Sequence, residues 1–195
     1  MGRLVALAIV WMLAALAAGC ASSPARFYTL SATAAPAAET SKLSVAVGPV
    51  SIPTAVDRPQ IVVSTSPNQV TLDDFNRWAS PLQDNIASVV AENLVALLGT
   101  PRVTLFPQTL GADADYRVQI EIRNFESAPG KYASLDAVWT VRRTRDGKIE
   151  TGRTSAREKV DDNGYEALAT AHSRGVERLS QDIADIVRTL DRATP

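Results

Sequence analysis

The amino-acid sequence predicts an α+β fold, a mostly antiparallel sheet with two long helices packed on one of its faces. Three patterns carry that prediction. Tyr116, Val118, Ile120 and Ile122 alternate with Arg117, Gln119, Glu121 and Arg123, the period of a strand with one buried face. Two long stretches, beginning near Ser80 and Gly164, repeat apolar residues at helical spacing instead. Asp146-Gly147 separates two extended runs, and a tight hairpin turn wants positive φ at such positions. Two apolar helix stripes are buried together when both helices lie on the same side of a sheet.

Taken in order, the elements run β-β-β-α-β-β-β-β-α. Leu43, Val45 and Val47 alternate with polar or small residues and predict a half-buried strand, interrupted by Gly48-Pro49 and Pro53. Residues 60–64 and 69–72 read as two short strands across Ser66-Pro67-Asn68, a turn sequence. Ser80 is placed to cap the first helix, with Pro81 at its first position and Gln83 completing a capping box. Leu82, Ile86, Val89, Val90, Leu94 and Leu97 form its apolar face, and Gly99 followed by Pro101 ends it. A short strand is expected over 103–106, the alternating strand from Tyr116, then residues 134–144 and 148–159 as a hairpin. The last helix spans about 164–190, with Tyr165, Leu168, His172, Val176, Leu179, Ile183, Ile186, Val187 and Leu190 on one face. Gly175 should weaken its middle by about 1 kcal/mol relative to alanine.

Ahead of this body lies a different kind of sequence. Arg3 is followed by an apolar run, Leu4 to Ala18, and the small residues Ala17-Ala18-Gly19 precede Cys20, the one cysteine. A basic start, an apolar centre and a small-residue end are the layout of a secretory signal peptide. The run is short of the roughly twenty residues that span a bilayer. With Cys20 at its end, the segment resembles a bacterial lipobox. That resemblance implies that residues 1–19 are removed and that Cys20 is acylated and becomes the new terminus. An ordinary cleaved signal with an incidental thiol is the competing reading. A single cysteine in an exported chain has no disulfide partner. Each buried methylene adds about 0.8 kcal/mol of membrane affinity, so several acyl chains hold a protein almost permanently. Residues 20–42 are read as the lipidated terminus and a tether, and 43–192 as a single folded domain. Residues 31–42, rich in Ala, Ser, Thr and Pro, lack apolar periodicity, and a flexible linker of about twelve residues spans roughly 20 Å. Within the earlier part, Phe27-Tyr28-Thr29-Leu30 is an apolar island expected to dock on the body.

Composition limits the function. Without residues 1–19 the chain has 176 residues, 19 basic and 21 acidic, enough for one domain with a sizeable core. Near-neutral charge argues against nucleic acid, whose binding rests on phosphate neutralisation. No catalytic residue, metal ligand set or cofactor is assigned. His172, the one histidine, sits on or beside an apolar helix face and is read as packed. Asp161-Asp162-Asn163-Gly164 opens like a calcium loop, but residue 166 is Glu where that loop needs Gly and residue 172 is His where it needs Glu. A turn and helix start is the reading kept. The basic run Arg142, Arg143, Arg145, Lys148, Arg153, Arg157 and Lys159 is interrupted by Asp146, Glu150 and Glu158, as on a solvated strand face; attraction to anionic lipid is the alternative.

The candidate interaction residues are Ile52, Val56 and Arg58, in a loop braced by Pro53 and Pro59, together with Arg77 and Trp78. Proline pre-sets a loop's conformation, so such a loop can present apolar groups rigidly. Trp78 either staples the first helix or anchors a partner, as Trp and Arg often do.

Four motifs in order carry a family resemblance: Phe27-Tyr28-Thr29-Leu30, then residues 47–53 (VGPVSIP), residues 57–62 (DRPQIV) and residues 77–82 (RWASPL). The chain resembles the PqiC-like, ABC-type transport auxiliary lipoproteins, from Phe27 into the last helix. Phe27 stands where that family more often has Tyr, and Thr54-Ala55-Val56 replaces a more aromatic stretch. The resemblance implies a non-catalytic lipoprotein anchored in the outer membrane of a Gram-negative bacterium, facing the periplasm. Ala21, where Asp would imply inner-membrane retention, fits that sorting. Its implied partners are an MCE-domain protein and the associated membrane transporter, and self-association as a ring is a further expectation. A general envelope integrity or assembly module is the second reading. A periplasmic hydrolase is the third, and would need a serine site or clustered acids in a closed pocket.

Overall fold

A computed structural model describes Gly2 and residues 24–107 and 113–193. Within residues 24–193, the described residues form eight strands and two helices: β1 (Arg26–Tyr28), β2 (Val45–Ser51), β3 (Gln60–Ser66), β4 (Gln69–Trp78), α1 (Leu82–Leu98), β5 (Val103–Leu105), β6 (Tyr116–Ala128), β7 (Tyr132–Arg143), β8 (Ile149–Lys159) and α2 (Tyr165–Arg192). The fold is α+β with two helices, as expected, but the sheet is mixed and not mostly antiparallel. β3–β4, β6–β7 and β7–β8 are antiparallel; β1–β4, β2–β5, β2–β6 and β3–β6 are parallel. The reason lies in the connections. Strands joined by tight turns return beside themselves, whereas a helical crossover brings the chain back in the same direction. The β3–β4 hairpin and α1 together separate β2 from β5, and that long connection lets β5 lie parallel to β2.

β6 organises the sheet. One edge pairs with β7 from Tyr116 to Ala128. The other takes β2 along its first half and touches β3 only at Ser127, opposite Val63. β6 alternates as predicted, with Tyr116, Val118, Ile120 and Ile122 buried. A bulge near Arg123 and Asn124 then shifts the inward set to Phe125 and Ser127. The β7–β8 hairpin closes at Asp146-Gly147, where Gly147 has φ 73°. β2 does not break at Gly48-Pro49. Gly48 takes φ 120°, a conformation that favours glycine, and the strand continues with a shift in register against β6.

One core joins the inward residues of β2, β6 and β7 to both helices, including Ile86, Val90 and Leu94 of α1 and Val176, Leu179, Ile183 and Val187 of α2. Across the helix pair, buried Asn93 donates to Ser180 Oγ at 3.3 Å. Gly99 ends α1 in the left-handed region, and its N–H donates to Ala96 O. The expected capping box is absent. Pro81 holds the cap position with no side-chain bond, and Ser80 Oγ only accepts from Asn85 Nδ2 at 3.4 Å.

Residues 31–42 are not a free spacer here. Thr33 and Ala34 N–H both donate to Asn93 Oδ1 at 3.1 Å, Ala37 N–H donates to Ala96 O, and Ser41 N–H donates to Gly99 O. The island at Phe27–Leu30 becomes β1, which pairs with β4, and Leu30 is buried.

Candidate functional site

The sequence-predicted interaction residues converge on the root of the β3–β4 hairpin. The loop after β2 folds back tightly: Val56 N–H donates to Pro53 O at 3.0 Å and Arg58 N–H donates to Val56 O at 2.9 Å. Its apolar groups turn inward. Val56 is buried and Ile52 packs on the core, while Arg58 stays exposed. Trp78 ends β4 and is 6% exposed, with its N–H donating to Pro59 O at 2.8 Å. Its ring meets Phe125 and His172 edge-on, with centroids 6.2 and 6.5 Å away. Trp78 is thus a core residue of the sheet and not a staple on α1.

Between the loop and the start of α1 lies a pocket of about 370 Å³ lined by Asp57, Arg58, Pro59, Trp78, Ser80 and Leu82, among others. Arg77 faces away from it. Arg77 pairs in register with Gln60 on one side and Phe27 on the other, and its Nε donates to Asp74 O at 2.7 Å. The structure therefore brings Arg58 and the Trp78 rim together, uses Ile52 and Val56 as supports, and sets Arg77 on the outer face. Cys20 lies outside the described residues.

A serine–histidine pair stands behind this pocket, and sequence reasoning did not find it. Ser127 Oγ and His172 Nε2 are 2.8 Å apart, and His172 stacks on Phe125 with centroids 3.8 Å apart. The geometry looks like a nucleophile and base, but both residues are sealed, at 2% and 1% exposure. His172 Nδ1 has no hydrogen-bond partner, so no acid orients the ring. Burial holds the imidazole neutral, its pKa lowered to about 3. The pair is a buried polar contact that fixes α2 on β6. The bulge in β6 turns Ser127 inward, and strict alternation from Tyr116 gives no sign of that.

A larger hollow lies elsewhere, a solvent-open trough of about 860 Å³ lined by Arg26, Tyr28, Lys159, Asp161, Asp162, Tyr165 and Arg174, among others. Several of its charged groups already have partners. Lys159 pairs with Asp161, Arg174 with Glu158, and Asp162 accepts from Gly164 N–H. The Asp161–Gly164 stretch is accordingly a turn and helix start, and no group of three or more metal-ligating side chains occurs among the described residues. The basic run on β7–β8 is likewise partnered: Arg143 with Asp146, Arg153 with Asp136, Lys148 with Glu150, and Arg157 over the Tyr132 ring. The Arg143 guanidinium holds the Asp146 carboxyl down to about 2.

No helix among the described residues is long and apolar enough to cross a membrane. Against known proteins, residues 28–184 match the model of a family described as ABC-type transport auxiliary lipoprotein component. No curated protein matches the chain in sequence. Among solved structures, protein XCC0632 from Xanthomonas campestris is 17% identical, with a TM-score of 0.69 over 87% of this chain and 100% of its own. An uncharacterized protein is 20% identical, also at 0.69, over 85% and 99%. Both share the fold. The PelC dodecamer from Paraburkholderia phytofirmans aligns over 78% of this chain and 93% of its own at 11% identity, with a TM-score of 0.46. Since the family model covers most of the chain, this protein belongs to the ABC-type transport auxiliary lipoprotein components.

Proposed function

We propose that this chain is a non-catalytic, outer-membrane lipoprotein subunit of an MCE/ABC-type envelope lipid-transport system, facing the periplasm and docking the transporter. The observation that carries the reading is the family match over residues 28–184. The basic–apolar–small pattern ending at Cys20 supports it by supplying the acylation site. Residues 1–19 are the part removed, Cys20 holds the lipid, and the body binds an MCE-domain protein and its membrane components. Arg58 and Arg77, with the rim of Trp78, make the contact; Ile52 and Val56 hold the loop in shape. Exposed guanidinium groups beside an aromatic rim suit a protein partner. Self-association into a ring would match an end-on partner of ring-shaped assemblies.

The experiment is affinity purification of the full-length protein from a parent strain and a Cys20→Ala strain, with membrane fractionation. The parent should fractionate with the outer membrane and bring an MCE-domain protein with it. The Cys20→Ala protein should lack acyl chains by mass spectrometry. A parent that enriches no MCE-domain protein would overturn the transport reading.

A further inference from the structure

The β3–β4 hairpin stands apart in its chemistry. From Gln60 to Leu72 there is no Asp, Glu, Lys or Arg, in a chain that is 21% charged. On β3, Ile61 and Val63 point to the core, so Gln60, Val62 and Ser64 face the other way. Their cross-strand partners Arg77, Leu72 and Val70 share that outer face, and so does Phe27, opposite Arg77 on β1. Phe27 is 63% exposed, Val70 60% and Leu72 44%. β1 covers only residues 76–78 of β4, and no described strand pairs with 69–75 on that side.

Strand direction ties this face to the anchor. β4 runs from the hairpin tip to its root, and β1 is parallel to it, so the chain enters β1 from the tip side. Cys20 is six residues before Arg26, which limits the leash to about 20 Å. From Gln69 to Asn76, β4 extends about 23 Å at 3.3 Å per residue, less its bulge. A leash of that length, joined to β1 on the tip side, can reach about as far as the hairpin does. Charge is graded along the same line. Arg26, opposite Asn76, stands at the root, where it suits an anionic headgroup. Two of the carboxylates near the root are engaged: Asp73 accepts from Tyr165 Oη and Asn76 Nδ2, and Asp74 accepts from Gln60 Nε2. An uncharged tip enters a bilayer interface without stripping water from an ion.

We propose that the β3–β4 hairpin is a membrane-seating arm, its tip and outer face resting in the interface of the bilayer that holds the anchor, with Phe27, Val70 and Leu72 against lipid. The proposal rests on acylation of Cys20. Because Cys20 is the only cysteine, its acylated sulfur leaves a newly introduced cysteine as the one labelling site.

The test uses the mature acylated protein in phosphatidylethanolamine–phosphatidylglycerol vesicles, carrying an environment-sensitive fluorophore on Val70→Cys, on Leu72→Cys, or on Ser155→Cys of β8 as control. Intact mass first establishes acylation of each variant. With lipid-borne quenchers present, labels at 70 and 72 should lose most of their emission while the control keeps its own. A Val70→Asp, Leu72→Asp double substitution should abolish quenching of a label on Phe27→Cys without shifting the melting temperature. Correct mass with bright labels at 70 and 72 would overturn the arm alone. Quenching between labelled copies, but not by lipid, would assign the face to self-association and also overturn it. A mass without acyl chains would refute the Cys20 reading, and the proposal with it.

Discussion

The β6–β7–β8 platform and the β3–β4 hairpin are made of similar strands and treat their side chains in opposite ways. On the platform, buried and exposed positions alternate along β6 and β7, α2 covers the buried face, and charged residues on the open face find partners. The hairpin has no charge between Gln60 and Leu72, leaves Val70 and Leu72 exposed, and meets β6 only at Val63. Where most apolar groups are covered, a strand contributes stability. Where apolar groups stay exposed beside the candidate partner site, it is available for binding. The comparison sorts substitutions: those on the platform should change melting, and those at the hairpin and its root should change association.

The largest expected effect is acid sensitivity of the platform through His172. Burial lowers its folded pKa from the ordinary 6.5 to about 3, so the unfolded chain takes up the proton first. The stability this histidine contributes is complete above about pH 6.5 and is lost as pH falls toward 3. Thermal melts from pH 7 to 5 should show a declining midpoint, and His172→Gln should flatten that stretch. A flat profile for the unaltered protein would mean that the ring is not sealed.

Two glycines on the same side of the molecule make a sharper contrast. A Cβ on Gly152 would lie 2.3 Å from the Trp139 ring, whose Nε1 is fixed by Thr154 Oγ1 at 3.0 Å. Gly152→Ala should therefore destabilise by about 1–3 kcal/mol in a denaturant titration. A Cβ on Gly175 meets only Leu135 and Ala156 Cβ at 3.7 and 3.8 Å, ordinary contact. Gly175→Ala should stabilise α2 by up to about 1 kcal/mol, and a loss of stability would show that the α2–β7 packing is tighter than drawn.

The smallest effect is expected at Ser80. The sequence offers it as a helix cap, whose removal would cost about 1 kcal/mol. In the structure Pro81 holds the cap position and Ser80 bonds no backbone N–H of α1. Ser80→Ala should change stability by less than about 0.5 kcal/mol, and a full cap effect would move the start of the helix back to the predicted place.

What was legible in the sequence was local. Alternation in β6, the Asp146-Gly147 turn and the Gly99 helix end are each encoded within a few residues, and each stands in the structure. Parallel pairing was not legible, because alternation reveals neither strand direction nor which distant strands become neighbours. The placement of residues 31–42 was hidden for a related reason. Their own composition is that of a spacer, and the group that holds them is Asn93, a buried amide on α1 whose role depends on what lies across from it. At the candidate site, the inward turn of Trp78 follows from pairing with β1 and β3, which the sequence does not state.

The central claim, that binding lives at the hairpin root and stability on the platform, is tested most directly with Arg58→Glu in the full-length protein. Co-purification of the transporter and the melting temperature of the purified variant are measured side by side. A reversed charge at an interface opposes binding through repulsion and desolvation, whereas surface substitutions shift stability by less than about 0.5 kcal/mol. The account predicts lost co-purification with an unchanged melting temperature. Intact co-purification, or a melting temperature that falls by many degrees, would contradict it.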